Sequence, residues 1–285
     1  MNKFLNHLYN IFFLNSLIFL RTLFRSILCI LWLLSMFIIF MFVKIFRIPV
    51  YKDIPRYFHK GFLSILNINI SLIGNIRTEK PGLIVSNHAS WLDISILSSL
   101  TNISFIAKSE VATWPFFGFL AKLQNTLFIE RKIIKAGLQK QQIKKIIDNG
   151  KRLVLFPEGT SSDGNRVLNF KSSLLSIVDN KEDSNNYMIQ SLTICYKKIN
   201  GLPISRSQRP HIAWWGDMGL IGHLFNIIKL GRVDIIVIAH EAIENIEDRK
   251  VVSKLAWKQV SYGMGLALSG FPKSLKQDEP IFKLF

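Results

Sequence analysis

Cysteine is scarce: Cys29 and Cys195 are the only two in 285 residues. Two cysteines this far apart make no disulfide framework and no C-x-x-C zinc spacing. The six histidines are scattered without an H-x-H or H-E-x-x-H arrangement, so no metal site and no cofactor is expected. Acidic side chains are also few, 19 against 36 Lys and Arg, which gives a net charge of +17. That excess suits an anionic surface, whether nucleic acid, lipid headgroups or phosphorylated substrates. The aromatic residues gather in apolar runs instead of interleaving with Lys and Arg as a base-stacking surface requires, so nucleic acid is not expected as a partner. A basic membrane-anchored binding protein without catalysis remains an alternative of another class.

What the chain has in abundance is apolar sequence, 49% of it, concentrated at the N-terminus. Residues 26–43 run 18 positions without a charge, between Arg25 and Lys44. As a helix they rise about 27 Å, close to the roughly 30 Å hydrocarbon core. Residues 4–20 form a second apolar stretch, set off by Arg21 and Arg25, so either one span or a hairpin dipping into one leaflet fits. No small-residue cleavage pattern follows Val43, which argues for an anchor over a cleaved signal. The charges around the anchor, Lys3, Arg21, Arg25, Lys44 and Arg47, are all basic, and the positive-inside rule puts the following domain on the cytoplasmic face of the inner membrane.

Three regions follow from composition: membrane-anchoring helices over 1–50, a globular domain over 51–270 and a basic tail over 271–285. Residues 51–66 read as an amphipathic helix for the bilayer or the domain. Strand patterns fall at 67–76, 83–85, 103–107, 125–129, 151–156, 188–196 and 233–239; an apolar loop is expected at 114–119, and helices at 133–149 and 249–268. Strands alternating with helices predict an α/β fold with a central, mostly parallel sheet flanked by helices.

The stretch 82–93, Gly-Leu-Ile-Val-Ser-Asn-His-Ala-Ser-Trp-Leu-Asp, takes a short apolar run into a polar turn that opens a helix. His88 and Asp93 are the chemistry-bearing pair. A neutral imidazole can take a proton from an alcohol, and a carboxylate on its other nitrogen fixes the tautomer and stabilises the imidazolium. On a regular helix five residues turn through about 500°, leaving the side chains about 140° apart. The pair therefore works only with His88 in the turn and Asp93 looking back from the first helical turn. A capping box explains Asp93 equally well, with Ser90 as N-cap and Asp93 three residues on. A second strand end carries Phe156-Pro157-Glu158-Gly159-Thr160, by itself an ordinary Pro-Glu-Gly turn. Because α/β folds build ligand sites at strand ends, the two turns could meet around one substrate.

Together these residues resemble the glycerolipid acyltransferase family that includes 1-acylglycerol-3-phosphate acyltransferases. His88 and Asp93 match its H-x-x-x-x-D motif, residues 156–160 its F-P-E-G-T motif, and Gly118 with the Phe128-Ile129-Glu130-Arg131 strand end the block that closes on a substrate-binding arginine. Asn87 and Ser90 complete the first turn. The resemblance implies transfer of a fatty acyl group from acyl-CoA or acyl carrier protein to a hydroxyl on a lysolipid acceptor at the membrane, with His88 as general base and Asp93 orienting it. Backbone N–H groups of the turn are the candidate oxyanion donors. By the same match Glu158, with Gly159 and Thr160, would hold the acceptor or the turn facing His88. Arg131 and Lys108 are the candidate contacts to an acceptor phosphate.

The sequence departs from the family pattern after E-G-T, where Ser161 stands in place of the common arginine; Arg166 is the candidate substitute. Ser173 follows the Phe170-Lys171 pair where glycine is usual, and Gln190-Ser191-Leu192 replaces a V-P-V-like strand. These departures, with Trp214-Trp215-Gly216-Asp217-Met218, are similar to a bacterial branch that acylates lyso-ornithine lipids. Lysophosphatidate is the first expectation for the acceptor, and lyso-ornithine lipid, which has no phosphate, is the alternative.

Overall fold

The computed structural model describes residues 2–130, 136–179, 187–243 and 248–269. Its sheet has eight strands: β1 (Ile68–Ile73), β2 (Gly82–Ser86), β3 (Ser104–Lys108), β4 (Leu127–Ile129), β5 (Arg152–Leu155), β6 (Met188–Ile199), β7 (Leu202–Pro203) and β8 (Val233–Ile243). The order is β1-β8-β6-β2-β5-β3-β4, with β7 hairpinned onto β6. Pairing is parallel except for β6 with β8 and β6 with β7, so the sheet is mostly parallel as expected. β6 and β8 run past the ends read from the sequence, at Tyr196 and Ala239, because each pairs the other along an antiparallel ladder that reaches Ile243 and Ile199.

Helices α2 (Ile54–Ile65), α3 (Leu92–Leu100) and α6 (Leu220–Lys229) cover one face; α5 (Ala136–Asp148), a 3₁₀ segment over Ser172–Asp179 and α7 (Arg249–Ser269) cover the other. β2 shows why its apolar run is continuous. Ile84 points into the cluster with Leu92, Ile96 and Ile194, while Leu83 and Val85 point into the opposite cluster with Ile147, Leu153 and Ala256. A strand whose side chains alternate between two covered faces must be apolar at every position. The loop expected at 114–119 instead turns into α4 (Phe117–Leu123), since the chain leaves Pro115 as a tight turn and Gly118 N–H already bonds Trp114 C=O at 2.9 Å.

The N-terminus is one helix, α1 (Asn2–Ile45), not a hairpin. No Gly or Pro interrupts it, and at 1.5 Å per residue its 44 residues rise about 66 Å. Residues Phe13–Ile45 are long and apolar enough to cross a membrane by length and composition. Arg21 and Arg25, which divide the two apolar stretches, donate to the last carbonyls of α6 at Ile228, Lys229 and Leu230, where cations complement the helix dipole. The amphipathic segment at 51–66 packs on the domain and on α1: Trp32 Nε1 donates to Phe58 C=O at 2.9 Å. The tail at 271–285 lies outside the described residues.

Candidate active site

β2 delivers the first turn and β6 holds it in place. Asn87, directly after β2, continues the ladder with its side chain: Nδ2 donates to Ile194 C=O at 2.9 Å and Oδ1 accepts Ile194 N–H at 2.8 Å. With Asn87 pinned, His88 sits in the turn and Asp93 in the first turn of α3. His88 Nδ1 lies 2.9 Å from Asp93 Oδ2. The same oxygen accepts Ala89 N–H at 2.7 Å and Ser90 N–H at 2.9 Å. The bond to Ser90 is the returning half of a capping box. The forward half is not made: Asp93 N–H bonds the Ser90 carbonyl, and the helix starts one residue later than expected, with Trp91 as its N-cap.

The other Asp93 oxygen, Oδ1, accepts the hydroxyl of Tyr196 at 2.7 Å. Asp93 and Tyr196 are both buried. Burial, then the neighbouring carboxylate, push the Tyr196 phenol well above its ordinary pKa, so it stays a donor. The imidazole ring stacks on Phe156, centroids 4.1 Å apart, and its side chain keeps 17% of its surface exposed. With Nδ1 facing the carboxylate, Nε2 is the ring nitrogen left to act on a substrate proton.

The F-P-E-G-T turn meets the first turn as anticipated. Glu158 is buried, and its Oε1 accepts His88 N–H at 3.1 Å, which clamps the turn. Burial pushes its carboxyl up to about 8, and Oε2 has no hydrogen-bond partner among the described residues. Of the two roles implied for Glu158, the geometry supports the one on the turn. Gly159 takes φ +69° to close the bend, and Thr160 is exposed beside it. Ser162 N–H donates to His88 C=O at 2.8 Å, and Trp214 N–H to Ala89 C=O at 2.7 Å. Ser161 Oγ in turn donates to Trp214 C=O, so a neutral hydroxyl and an indole loop occupy the place of the family arginine.

Three of the first turn's N–H groups, candidates for the oxyanion, are already taken up within the site. Those of His88, Ala89 and Ser90 all point inward, to Glu158 and Asp93. Of the remaining candidates, Lys108 is exposed at the C-terminal end of β3, the edge of the sheet that carries both turns. Arg166 is exposed just beyond the Ser162–Asn165 bend, where a Cβ added to Gly164 would meet Ala89 at 3.9 Å. Gly118 lies in α4, where a Cβ would come within 2.5 Å of Ala112 C=O. Arg131 lies outside the described residues. Sequence reasoning missed Tyr196, Phe156 as the ring's stacking partner, and Trp214; the available signal was a tyrosine closing the strand-like run 188–196, since a phenol buried there needs an acceptor. Among the described residues no group of three His, Cys, Asp or Glu is placed to hold a metal ion.

An α/β sheet presenting a carboxylate-held histidine beside a Pro-Glu-Gly clamp is an arrangement that general-base chemistry can use. Residues 67–204 match the Acyltransferase family. The chain is 36% identical over 233 residues to the lyso-ornithine lipid O-acyltransferase of Rhizobium meliloti, covering 80% of each protein. It is 31% identical over 199 residues to the 1-acyl-sn-glycerol-3-phosphate acyltransferase of Neisseria meningitidis, covering 67% of this chain and 72% of that one. The crystal structure of the 1-acyl-sn-glycerophosphate acyltransferase of Thermotoga maritima superposes with a TM-score of 0.53 at 18% identity, covering 75% of this chain and 79% of that one, and so shares the fold. The chain belongs to the acyltransferase family and is an acyltransferase of the lysolipid type.

Proposed function

We propose that the protein O-acylates lyso-ornithine lipid at the cytoplasmic face of the inner membrane, drawing the acyl group from acyl-CoA or acyl carrier protein. The observation that carries the acceptor is Ser161 bonded to the Trp214 carbonyl, an uncharged wall where a phosphate-reading arginine is common. The names of relatives from Rhizobium meliloti and Brucella abortus, each 36% identical, support it. Lysophosphatidate is the second reading, favoured by the Neisseria relative and by the basic side chains Lys108, Arg131 and Arg166.

On this reading His88 Nε2 takes the proton of the acceptor hydroxyl as its oxygen attacks the thioester carbonyl. Asp93, holding Nδ1–H, stabilises the imidazolium that results. Collapse of the tetrahedral intermediate breaks the carbon–sulfur bond, and the imidazolium returns its proton to the departing thiolate, leaving an ester and a free thiol. Positioned general-base catalysis of this kind contributes about 10²–10⁴-fold.

The test offers purified protein in lipid both acceptors, each with acyl-CoA and with acyl carrier protein. Acylation of lyso-ornithine lipid well above lysophosphatidate is expected; the reverse order refutes the proposed acceptor. His88→Ala should abolish turnover with membrane binding intact, and a fully active variant would refute the catalytic assignment.

A further inference from the structure

α6 has an unusual surface for a helix at the edge of a soluble domain. His223, Ile227 and Ile228 face inward, with His223 Nδ1 accepting Trp91 Nε1–H at 2.9 Å. The outward face carries large apolar side chains as well, Ile221 67% and Phe225 48% exposed, beside exposed Asn226 and Lys229. Apolar side chains of that size facing out next to a polar and a basic one fit a helix lying at a lipid–water boundary. The loop entering it adds exposed Trp215 and Met218. Phe116, on the neighbouring loop, is exposed at the apex of a γ-turn, with φ +64° and Phe117 N–H bonded to Pro115 C=O at 2.7 Å. That turn is strained for a bulky residue, and its strain holds an apolar ring outward. Trp114 and Trp214 meet edge to face at 5.9 Å, joining the two loops beside the catalytic turn.

What covers this surface follows from its continuity with α1. Thr22, Arg25, Cys29, Trp32, Phe40 and Val43 of α1 form a stripe at spacings of three and four, or multiples of them, turned toward the domain. A helix resting on the domain over that length, about 32 Å, keeps the domain's flank at its own depth in the bilayer. Its other side, including Phe24, Ile27, Leu31 and Ile38, is exposed and apolar. Arg21 and Arg25 tie α6 to this helix, so the outer faces of α1 and α6 adjoin.

We infer that the outer face of α6, with Trp215, Met218 and Phe116, is a second bilayer-contacting surface, which seats the mouth of the catalytic turn in the lipid interface independently of the α1 anchor. Trp at the water boundary and apolar side chains a few ångströms deeper is the pattern of an interfacial helix. The net charge of +17 favours an anionic leaflet.

The test places an environment-sensitive fluorophore at Ile221→Cys in full-length protein carrying Cys29→Ala. The protein is reconstituted into phosphatidylglycerol–phosphatidylcholine vesicles whose acyl chains bear nitroxide near the headgroup. A control label at Lys151→Cys sits at the sheet edge opposite the catalytic turn. Blue-shifted emission quenched by the nitroxide at 221, with neither effect at 151, is expected. Unshifted emission at 221 overturns the proposal by showing water; shifted emission that the nitroxide does not quench overturns it by showing a second copy of the chain. Ile221→Asp with Phe225→Asp, both outward-facing and therefore compatible with folding, should lower turnover on vesicle-borne acceptor at least fivefold relative to turnover in detergent micelles. An unchanged ratio refutes the interface.

Discussion

Replacing Tyr196 with Phe removes one heavy atom and isolates the second support of the carboxylate that holds His88. The phenol donates to Asp93 Oδ1 at 2.7 Å where both side chains are buried, so no water can stand in for it. A hydrogen bond to a charged group contributes about 1.5–3 kcal/mol, and removing the donor leaves a desolvated carboxylate oxygen unpaired. If the loss is felt wholly in orienting His88, kcat falls between about tenfold and about 150-fold, at 1.36 kcal/mol per decade. If it is felt wholly in folding, the melting temperature drops by roughly 3–12 °C for a chain of this size. Thioester consumption followed by thiol release, with thermal unfolding in the same detergent, reads both. Asp93→Asn supplies the cycle: once the charged acceptor is gone, Tyr196→Phe should have much less effect. Turnover within twofold of the parent at unchanged stability refutes the reasoning. An equal loss in the Asp93→Asn background would mean that the hydroxyl acts through packing and not through the carboxylate.

Two further outcomes concern the clamp on the His88 turn and the seat of α1. Glu158 has its folded pKa raised to about 8 from 4.5, so between those values the unfolded chain releases a proton the folded chain keeps, and stability is lost as pH rises through that window by at most about 1.4 kcal/mol per pH unit. Glu158→Gln, which still offers an oxygen to His88 N–H, should remove that component of the slope in denaturant unfolding; identical slopes in parent and variant would contradict it. At Gly61 a Cβ would lie 2.1 Å from the Trp32 ring, whereas at Gly265 it meets nothing within 4 Å. Gly61→Ala should therefore loosen α1 from α2 and raise amide exchange there, while Gly265→Ala should be neutral or stabilising by up to about 1 kcal/mol, the usual helix preference for alanine.

The local sequence by itself determined the α/β character, because strand and helix periodicities and their punctuation are carried by neighbouring residues. It offered the pairing of His88 with Asp93 beside a capping box, because at five-residue spacing the two can meet only across a turn-to-helix boundary; the 2.9 Å contact is that meeting. What came only with the tertiary structure arises from residues far apart in sequence. Tyr196 reaches Asp93 across 103 positions because β6 lies beside β2 and runs past its end, and no local pattern encodes that adjacency. Arg21 and Arg25 looked like a break in the N-terminal apolar run; they are the ties to α6, more than 200 residues away, and with their charges taken up by α6 carbonyls the helix continues unbroken. The turn's N–H groups read as free for an oxyanion until two carboxylates, one of them 70 residues distant, were found to accept them. Periodicity fixes which face of an element is apolar, but the partner that covers that face, or the lipid that does so in its place, is set by how the elements pack.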